Sequence, residues 1–235
     1  MKVLIIIPAY NEESNIVRVV TNIHKLLPDY DYVVINDGSL DNTAQVCRNN
    51  NFRLIDLPAN LGLAGAFQTG MKYAWKNGYD AAIQFDGDGQ HRAEYIPELV
   101  KQMELTDSDI VIGSRFVSKR KPFTPRMIGS RLLAFLIFCT TGKHLKDPTS
   151  GMRLYGHNVI KEYALELNYA PEPDTLAYLL NNGCKISEVQ VKMDERQNGK
   201  SYLGFLGSYH YMFKQVISIV FVQWFRKPTL LKKKK

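Results

Sequence analysis

Short apolar runs rich in branched residues alternate with segments of helical periodicity, and this alternation most constrains the fold of the chain. The first run, residues 2–7, is continuous and β-branched, as expected of a central parallel strand covered on both faces. Apolar residues then recur at helical spacing over residues 12–27, and Pro28 ends the predicted helix. A strand followed by a helix is therefore the unit that the sequence indicates.

The same pattern predicts further strands at residues 31–35, 53–57, 81–85, 109–112 and 185–193. With short loops and intervening helices, this is typical of an α/β protein with an open, mostly parallel sheet and helices on both faces. Ligands bind beyond the carboxyl ends of the strands in such sheets. Polar clusters follow four strands, at residues 10–12, 37–39, 86–91 and 114–115. We therefore expect one binding site at that edge.

The chain of 235 residues is long enough for one large domain with a substantial core. Its cysteines, Cys47, Cys139 and Cys184, show no paired spacing, which favours a reducing cytoplasm over a disulfide framework. The apolar start soon meets Pro8 and Asn11, so we interpret it as a first strand rather than a signal peptide. We therefore predict a cytoplasmic location.

The net charge is +7, but residues 232–235 supply four of the positive charges, so the folded body is only mildly basic. The other basic residues form no single patch interleaved with aromatic residues, which is the pattern expected of a nucleic-acid interface. We therefore expect no nucleic-acid partner.

The segment FDGDGQH at residues 85–91 closes the fourth predicted strand with Asp86, Asp88 and Gln90 at alternate positions. Carboxylate and amide oxygens spaced in this way suit a hard cation such as Mg²⁺ or Mn²⁺ that also binds substrate phosphates. The intervening glycines allow the ligands to approach one another. An acidic turn after a strand is the alternative, which the other polar strand ends disfavour.

Basic side chains are frequent in the second half of the chain. The candidates are Arg115, Arg126, Arg131, Arg153, Arg196 and Lys200. Arginine forks suit a second, separately bound phosphate, whereas each residue alone would be an ordinary surface cation. Asp37, at the end of the second strand, is placed to accept hydrogen bonds from a base or a ribose, or to cap the following turn.

The segment of residues 203–225 is rich in aromatic and branched side chains, and basic residues follow it. Its polar residues form a thin stripe: Ser208, Lys214, Gln215 and Ser218. The uninterrupted apolar part is shorter than the roughly 20 residues of a membrane span. We predict an amphipathic helix at the interface of an anionic leaflet, with a core helix or an oligomer contact as alternatives. The predicted division is a catalytic domain at residues 1–202 and a membrane-associating segment at residues 203–235.

Seven ordered motifs between residues 3 and 202 resemble those of family 2 glycosyltransferases of the GT-A fold. They are IIIPAYNEE, VINDGSLDNT, NLG, FDGDGQH, GSR, DPTSGMR and ERQNGKS. The FDGDGQH and ERQNGKS motifs are similar to those of the polyprenyl-phosphate glycosyltransferases, the dolichyl-phosphate mannosyltransferase-like group. The resemblance implies a Rossmann-like GT-A sheet.

The resemblance also implies roles for particular residues. The nucleotide-binding and donor positions are Pro8, Tyr10, Glu12, Asp37, Gly62 and Asp86. The metal positions are Asp86, Asp88 and Gln90. The positions that hold the lipid phosphate or the donor diphosphate are Arg115, Arg126, Ser130, Arg196 and Lys200. Asp147 matches a functionally important acidic position whose role stays open.

The implied reaction is a metal-dependent, inverting transfer of a hexose from a nucleotide sugar to a polyprenyl phosphate, undecaprenyl or dolichyl. The β-linked product would donate sugar for cell-envelope glycan synthesis. UDP-glucose is the favoured donor and GDP-mannose the alternative. A polyprenyl monophosphate is already anionic and needs no strong general base, so the site must supply positioning and a charge clamp.

Two other functions stay open. A glycosyltransferase that extends a saccharide would need a carboxylate base, for which Asp147 or Glu172 are candidates, and would not need Arg126 or Arg196. A non-catalytic nucleotide or metal sensor is the other alternative, which the complete metal motif and the many cations disfavour.

Many relatives carry two transmembrane helices after this domain. We expect a peripheral protein on the cytoplasmic face of the membrane, held by the interfacial segment alone or with a membrane-protein partner.

Overall fold

The strands lie in one sheet in the computed structural model, which describes residues 1–86, 91–166, 169–193, 205–221 and 225, without the side chains of residues 126 and 205–210. The strands described are β1 (Val3–Ala9), β2 (Asp31–Asn36), β3 (Leu54–Asp56), β4 (Ala81–Gln84), β5 (Ile110–Ser114), β6 (Arg153–Gly156) and β7 (Ile186–Gln190). Their order across the seven-stranded sheet is β3-β2-β1-β4-β6-β5-β7. The prediction of an open, mostly parallel sheet is confirmed.

Helices cover both faces of the sheet, as predicted. They are α1 (Ile16–Leu26), α2 (Thr43–Asn49), α3 (Gly62–Lys76), α4 (Ile96–Thr106), α5 (Pro125–Thr141), α6 (His157–Leu165), α7 (Pro173–Asn181) and α8 (Phe205–Val220). Alternate residues of β1 point into separate cores, Ile5 and Ile7 toward α1 and α4, and Leu4 and Ile6 toward α3. A strand buried on both faces must be apolar throughout, which explains the continuous run in β1.

Strand β6 runs antiparallel to both of its neighbours, β4 and β5. Its first residue, Arg153, pairs with Gln84 at the carboxyl end of β4. The segment of residues 147–152, which leads into β6, therefore lies at the edge where the parallel strands end. The sequence pattern predicted no strand at residues 153–156.

The buried Arg153 side chain fixes this segment. Its guanidinium donates hydrogen bonds to the carbonyl oxygens of Pro148 at 2.8 Å, Ser150 at 2.8 Å and Pro171 at 2.7 Å. Only 2% of Arg153 is exposed. Its inclusion among the cations for an anionic ligand was therefore wrong, because its donors serve the backbone.

Helix α8 packs against α5 and α7, and two of its polar residues face inward. The Gln215 amide donates a hydrogen bond to the Glu172 carboxylate, and the Ser218 hydroxyl donates one to Asp174 at 2.6 Å. Gln215 and Ser218 are buried, whereas Lys214 is exposed and Phe213 is 65% exposed. Two members of the predicted polar stripe thus face the protein, Lys214 does not, and the side chain of Ser208 lies outside the described residues. Among the residues described, no helix is both long and apolar enough to cross a membrane.

Candidate functional site

The loops that follow β1 and β2 are bound to each other. The Asn11 backbone N–H donates to the Ser39 hydroxyl at 2.9 Å, and the Asn11 side-chain oxygen accepts from the Leu40 N–H at 2.9 Å. The Glu12 N–H donates to the Thr43 hydroxyl at 2.9 Å. The predicted nucleotide-binding residues Pro8, Tyr10 and Glu12 therefore share the carboxyl edge of the sheet with Asp37, the residue after β2.

Asp37 is buried and supports the next loop. One of its carboxylate oxygens accepts a hydrogen bond from the Leu61 backbone N–H at 2.8 Å, just before α3. Gly38 adopts a φ of +63°, and a Cβ there would lie 2.5 Å from the backbone carbon of Ala59. Gly62, at the start of α3, also has positive φ, +72°. The turn at Asp37 is therefore pressed against residues 59–62, and a glycine is required for this approach.

Asp86 follows β4 and is held from two sides. Its carboxylate accepts a hydrogen bond from the Gln84 amide at 3.0 Å, and its backbone N–H donates to Nδ1 of the buried His91 at 3.0 Å. Because Nδ1 accepts, the imidazole proton belongs on Nε2, which lies 3.5 Å from the other Asp86 oxygen. The Asp86 side chain is 37% exposed. The carboxylate is thus oriented and still accessible at the site edge.

The segment before β6 packs directly on Asp86. A Cβ at Gly151 would lie 3.0 Å from an Asp86 carboxylate oxygen and 3.4 Å from the His91 ring. A side chain at this position would therefore require the carboxylate or the imidazole to shift by a few tenths of an ångström. The antiparallel strand therefore joins the predicted metal-binding motif to the segment that contains Asp147.

Asp147 forms a buried ion pair with Arg115. The Arg115 guanidinium donates two hydrogen bonds to the Asp147 carboxylate, at 2.7 and 2.8 Å, and the Arg115 backbone N–H donates a third at 3.1 Å. Asp147 is completely buried. Burial alone would raise its pKa, but the bonds and the charge of Arg115 outweigh burial and hold the pKa of Asp147 below its ordinary value. The carboxylate is therefore ionised and fully occupied.

Hydroxyl groups connect this ion pair to α5. The Thr149 hydroxyl lies 3.1 Å from Asp147 and 3.2 Å from the Ser130 hydroxyl, and the Lys121 amine lies 2.9 Å from Ser130. Three predicted site residues, Arg115, Ser130 and Asp147, are thus brought into one network. Lys121 and Thr149 were not predicted as site residues: Thr149 belongs to the DPTSGMR motif without having been assigned a role, and Lys121 lies outside every motif.

Basic residues also line an open cleft beside Arg115. The cleft has a volume of about 320 Å³, and its lining includes Arg92, Arg115, Lys119 and Lys192. Asp147 pairs with Arg115, and Glu94 lies 3.5 Å from Arg92, so Lys119 and Lys192 supply the excess positive charge that favours an anionic ligand.

Several predicted residues lie outside what the structure describes. These are Asp88, Gln90, Arg196 and Lys200, together with the side chain of Arg126. Among the described residues, no three His, Cys, Asp or Glu side chains are grouped to hold a metal ion. Of the three predicted metal ligands, the structure describes Asp86. The metal-binding and phosphate-binding roles assigned to these residues stay predictions.

Comparisons with known proteins define the family. The sequence model described as Glycosyl transferase family 2 matches residues 4–164, so the chain belongs to this family. The UDP-N-acetylglucosamine–dolichyl-phosphate N-acetylglucosaminyltransferase of Methanococcus voltae is 32% identical over 215 residues, which cover 81% of this chain and 84% of the relative. The polyprenol monophosphomannose synthase of Mycolicibacterium smegmatis is 26% identical over 227 residues, covering 91% and 85%. The resemblance seen in the motifs is confirmed.

The fold is also that of solved structures. Glucosyl-3-phosphoglycerate synthase from Mycobacterium tuberculosis, in complex with Mn²⁺, UDP and phosphoglyceric acid, superposes with a TM-score of 0.68. The sequences are 17% identical, and the match covers 94% of this chain and 78% of that one. At this identity the likeness shows the fold, which is of the GT-A type.

Replacing Asp147 by Asn tests the buried ion pair. We expect the free energy of unfolding at pH 7 to fall by about 3 kcal/mol in urea denaturation, because the Arg115 guanidinium loses its partner. The folded-state pKa of Asp147 lies below the unfolded value, so its stabilisation is present above the unfolded pKa and is lost as the pH falls through the folded one. The difference between the two proteins should therefore shrink toward acid pH.

The matched control is Asp107→Asn, which removes an exposed carboxylate that pairs with Lys185. Exposed pairs contribute little, so this variant should unfold nearly as the unmodified protein does. A difference between Asp147→Asn and the unmodified protein that persists undiminished at acid pH would contradict an ionised Asp147.

Proposed function

We propose that the protein transfers a hexose, with inversion, from a nucleoside diphosphate sugar to a polyprenyl phosphate. One observation supports the proposal: among the described residues that line the cleft beside Asp147, cations outnumber carboxylates. Of the four basic side chains there, Arg115 is paired with Asp147 and Arg92 with Glu94, so Lys119 and Lys192 supply the excess positive charge. An acceptor that is itself an anion would be bound by such a site and would need no base.

The donor side of the proposal rests on the loops after β1, β2 and β4. Asp37 and the residues around Tyr10 would bind the nucleoside, and Asp86 with the following motif would meet the diphosphate. The relative from Methanococcus voltae is named for a UDP-sugar, and the structure from Mycobacterium tuberculosis contains UDP. We therefore favour a UDP-hexose, with glucose first. Because the relative from Mycolicibacterium smegmatis is named for mannose, GDP-mannose is the second candidate.

A divalent cation, Mg²⁺ or Mn²⁺, fits the residues at the end of β4. The oriented and accessible carboxylate of Asp86 is a suitable hard ligand, and Asp88 and Gln90 would complete the protein's share of the site. When bound, the metal would neutralise charge on the departing diphosphate. Gln84, His91 and the close approach of Gly151 would hold the Asp86 carboxylate in position for it.

The acceptor phosphate would be held by basic residues across the site. Arg115 is fixed by Asp147, and we infer that Arg126, Arg196 and Lys200 add to the positive charge. These groups would bring two anions together and align the acceptor oxygen opposite the leaving diphosphate. In-line attack of that oxygen on the anomeric carbon forms the new C–O bond as the bond to the diphosphate breaks. An α-linked donor would give a β-linked lipid phosphate sugar.

Transfer to a saccharide is the weaker candidate. The two carboxylates suggested as its general base are both engaged: Asp147 by Arg115, and Glu172 by Gln215. Burial, with the nearby charge of Asp174, raises the pKa of Glu172, but its carboxylate lies against α8. Neither group is presented to a neutral hydroxyl acceptor.

The first test is transfer of radiolabelled sugar from a panel of UDP- and GDP-sugars to undecaprenyl phosphate. We expect one donor to label the organic phase, because the site would select one nucleotide and one sugar. EDTA and Asp86→Asn should each reduce the rate by at least about a hundredfold, since either removes the charge compensation of the leaving group. Asp107→Asn is the control and should retain the rate, because Asp107 lies before β5, at the edge of the sheet opposite the site.

Two outcomes would contradict the proposal. Label that enters a saccharide while the lipid stays unlabelled would favour the polysaccharide alternative. Nucleotide binding without transfer to any acceptor would favour a sensor.

We also propose that the protein docks on the cytoplasmic face of the membrane through α5 and α8, with residues 203–235 as the membrane-associating segment. The two helices pack side by side. Their exposed apolar residues recur at helical spacing: Ile128, Leu132 and Phe135 on α5, and Phe213, Ile217 and Phe221 on or just after α8. Large exposed apolar surfaces mark interaction sites, and the substrate proposed here is a membrane lipid.

Co-sedimentation with vesicles of phosphatidylglycerol and phosphatidylcholine tests the docking proposal. We expect the double variant Phe135→Ser, Phe213→Ser to bind at least about tenfold more weakly, because two large side chains leave the interface. Leu105→Ser is the matched control, since Leu105 is 72% exposed on α4, which packs on the opposite face of the sheet. Equal binding of the double variant would contradict docking by these helices. If the protein is a dimer that the double variant loses, the surface binds a second copy. If the unmodified protein binds vesicles only when another membrane protein is present, the surface binds that partner.

A further inference from the structure

A directional chain of hydrogen bonds leads from Lys121 to the buried ion pair. The ionised Asp147 carboxylate can only accept, so the Thr149 hydroxyl, 3.1 Å away, donates to it. The Thr149 oxygen, with its proton thus committed, accepts from the Ser130 hydroxyl at 3.2 Å and from Arg115 at 3.2 Å. The Ser130 oxygen accepts in turn from the Lys121 amine at 2.9 Å. Every proton in this chain points toward Asp147.

The direction of these hydrogen bonds determines which group can donate to a ligand. Ser130 is 1% exposed, and its only proton is directed at Thr149. Lys121 lies at the outer end of the chain, partly exposed, and its ammonium group has three protons, of which Ser130 takes one. Two charged donors are therefore left for a ligand at Lys121 and none at Ser130.

Lys121 is also rigidly placed for a side chain on a loop. The Arg131 guanidinium donates hydrogen bonds to the carbonyl oxygens of Lys121 and Pro122, which ties the loop to α5. Further back, the Ser118 backbone N–H donates to the Gln190 side chain at 2.9 Å. In the described part of the chain, no carboxylate lies within ion-pair distance of the Lys121 amine. Its described neighbours are the Ser130 hydroxyl and the ring of Phe116, whose centre lies 5.5 Å from the amine, so no described carboxylate neutralises the charge.

We propose that Lys121 is a direct ligand of the acceptor phosphate and that Ser130 acts through it as a positioning residue. The inference rests on the proposed function and deepens it, because it assigns the contact with the acceptor to a residue outside the family motifs. It also revises the role that the resemblance implied for Ser130. The prenyl chain of the acceptor would leave this point beside Phe123, which is 90% exposed and lies under the Arg131 guanidinium.

The test compares acceptor and donor kinetics of the unmodified chain and its variants, with farnesyl phosphate as the acceptor. We expect Lys121→Met to raise the KM for farnesyl phosphate at least about tenfold, since a charge-assisted hydrogen bond is lost, while the donor KM stays unchanged. Lys121→Arg should restore most of the affinity. Arg120→Met, which removes an exposed cation from the neighbouring position, is the matched control and should leave both constants nearly unchanged.

A double-mutant cycle separates positioning from direct contact. Ser130→Ala should raise the acceptor KM in the unmodified protein but have almost no further effect in the Lys121→Met background, because its role passes through the lysine. Additive effects of the two changes would overturn the positioning role of Ser130. A KM for Lys121→Met within twofold of the unmodified protein would overturn the assignment of Lys121.

The pH profile gives a second readout that a merely structural lysine would not move. Burial lowers the pKa of Lys121, and the charges that face it are Asp147, Arg115, Glu188 and Arg131. The ammonium group therefore loses its proton at lower pH than an exposed lysine would, and the acceptor KM should rise as the pH increases through that value. Lys121→Arg should flatten this limb, because a guanidinium stays charged. An identical alkaline limb in both proteins would contradict the assignment.

Direct binding of farnesyl phosphate, measured by calorimetry, distinguishes failure of the proposed reaction from failure of the Lys121 assignment. Binding that depends on Lys121 without any sugar transfer would support the phosphate site and contradict the proposed reaction. Efficient transfer at an unchanged acceptor KM in Lys121→Met would preserve the reaction and remove Lys121 from it.

Discussion

The ion pair between Asp147 and Arg115 is the interaction on which the arrangement of the acceptor side depends. A carboxylate that is completely buried stays ionised only if a cation and hydrogen bonds compensate its lost solvation, and Arg115 supplies both. The compensation has a second consequence. Because Asp147 can only accept, it orders the hydroxyls of Thr149 and Ser130 and thereby the amine of Lys121. One buried charge thus orients a chain of polar groups that ends at the surface.

The antiparallel strand β6 is what brings this ion pair to the donor side. In a wholly parallel sheet, a segment that precedes a strand lies at the amino edge, away from the site. Since β6 is reversed, residues 147–152 lie at the carboxyl edge, where Arg153 binds their carbonyl oxygens and Gly151 packs on Asp86. Rigid support of this kind is what a site needs to hold two anionic substrates in register. The geometry therefore fits transfer between them.

The sequence predicted the parallel part of the fold, because β1 and its neighbours are apolar runs whose local pattern is decisive. It missed β6, since RLYG is short, lies in a turn-rich stretch and owes its direction to pairing with Gln84 and Ile112. The polar stripe of α8 was predicted, but the inward orientation of Gln215 and Ser218 was not, because their partners Glu172 and Asp174 lie far away in the chain. Lys121 was not predicted as a site residue for the same reason: it is connected to Asp147 through Ser130 and Thr149, and it shares no local motif with Asp147.

The most direct measurement of the central claim, that the acceptor is an anion clamped by cations, compares two lipids that differ only in the phosphate. The purified protein is given the same nucleotide sugar and metal with either undecaprenyl phosphate or undecaprenol, and the lipid products are identified by mass spectrometry. The structure predicts a sugar on the phosphate-bearing lipid and none on the alcohol, because the described site offers cations for the phosphate and engages its candidate bases elsewhere. Comparable transfer to undecaprenol would show that a neutral hydroxyl is activated here, and the anionic-acceptor interpretation would be wrong.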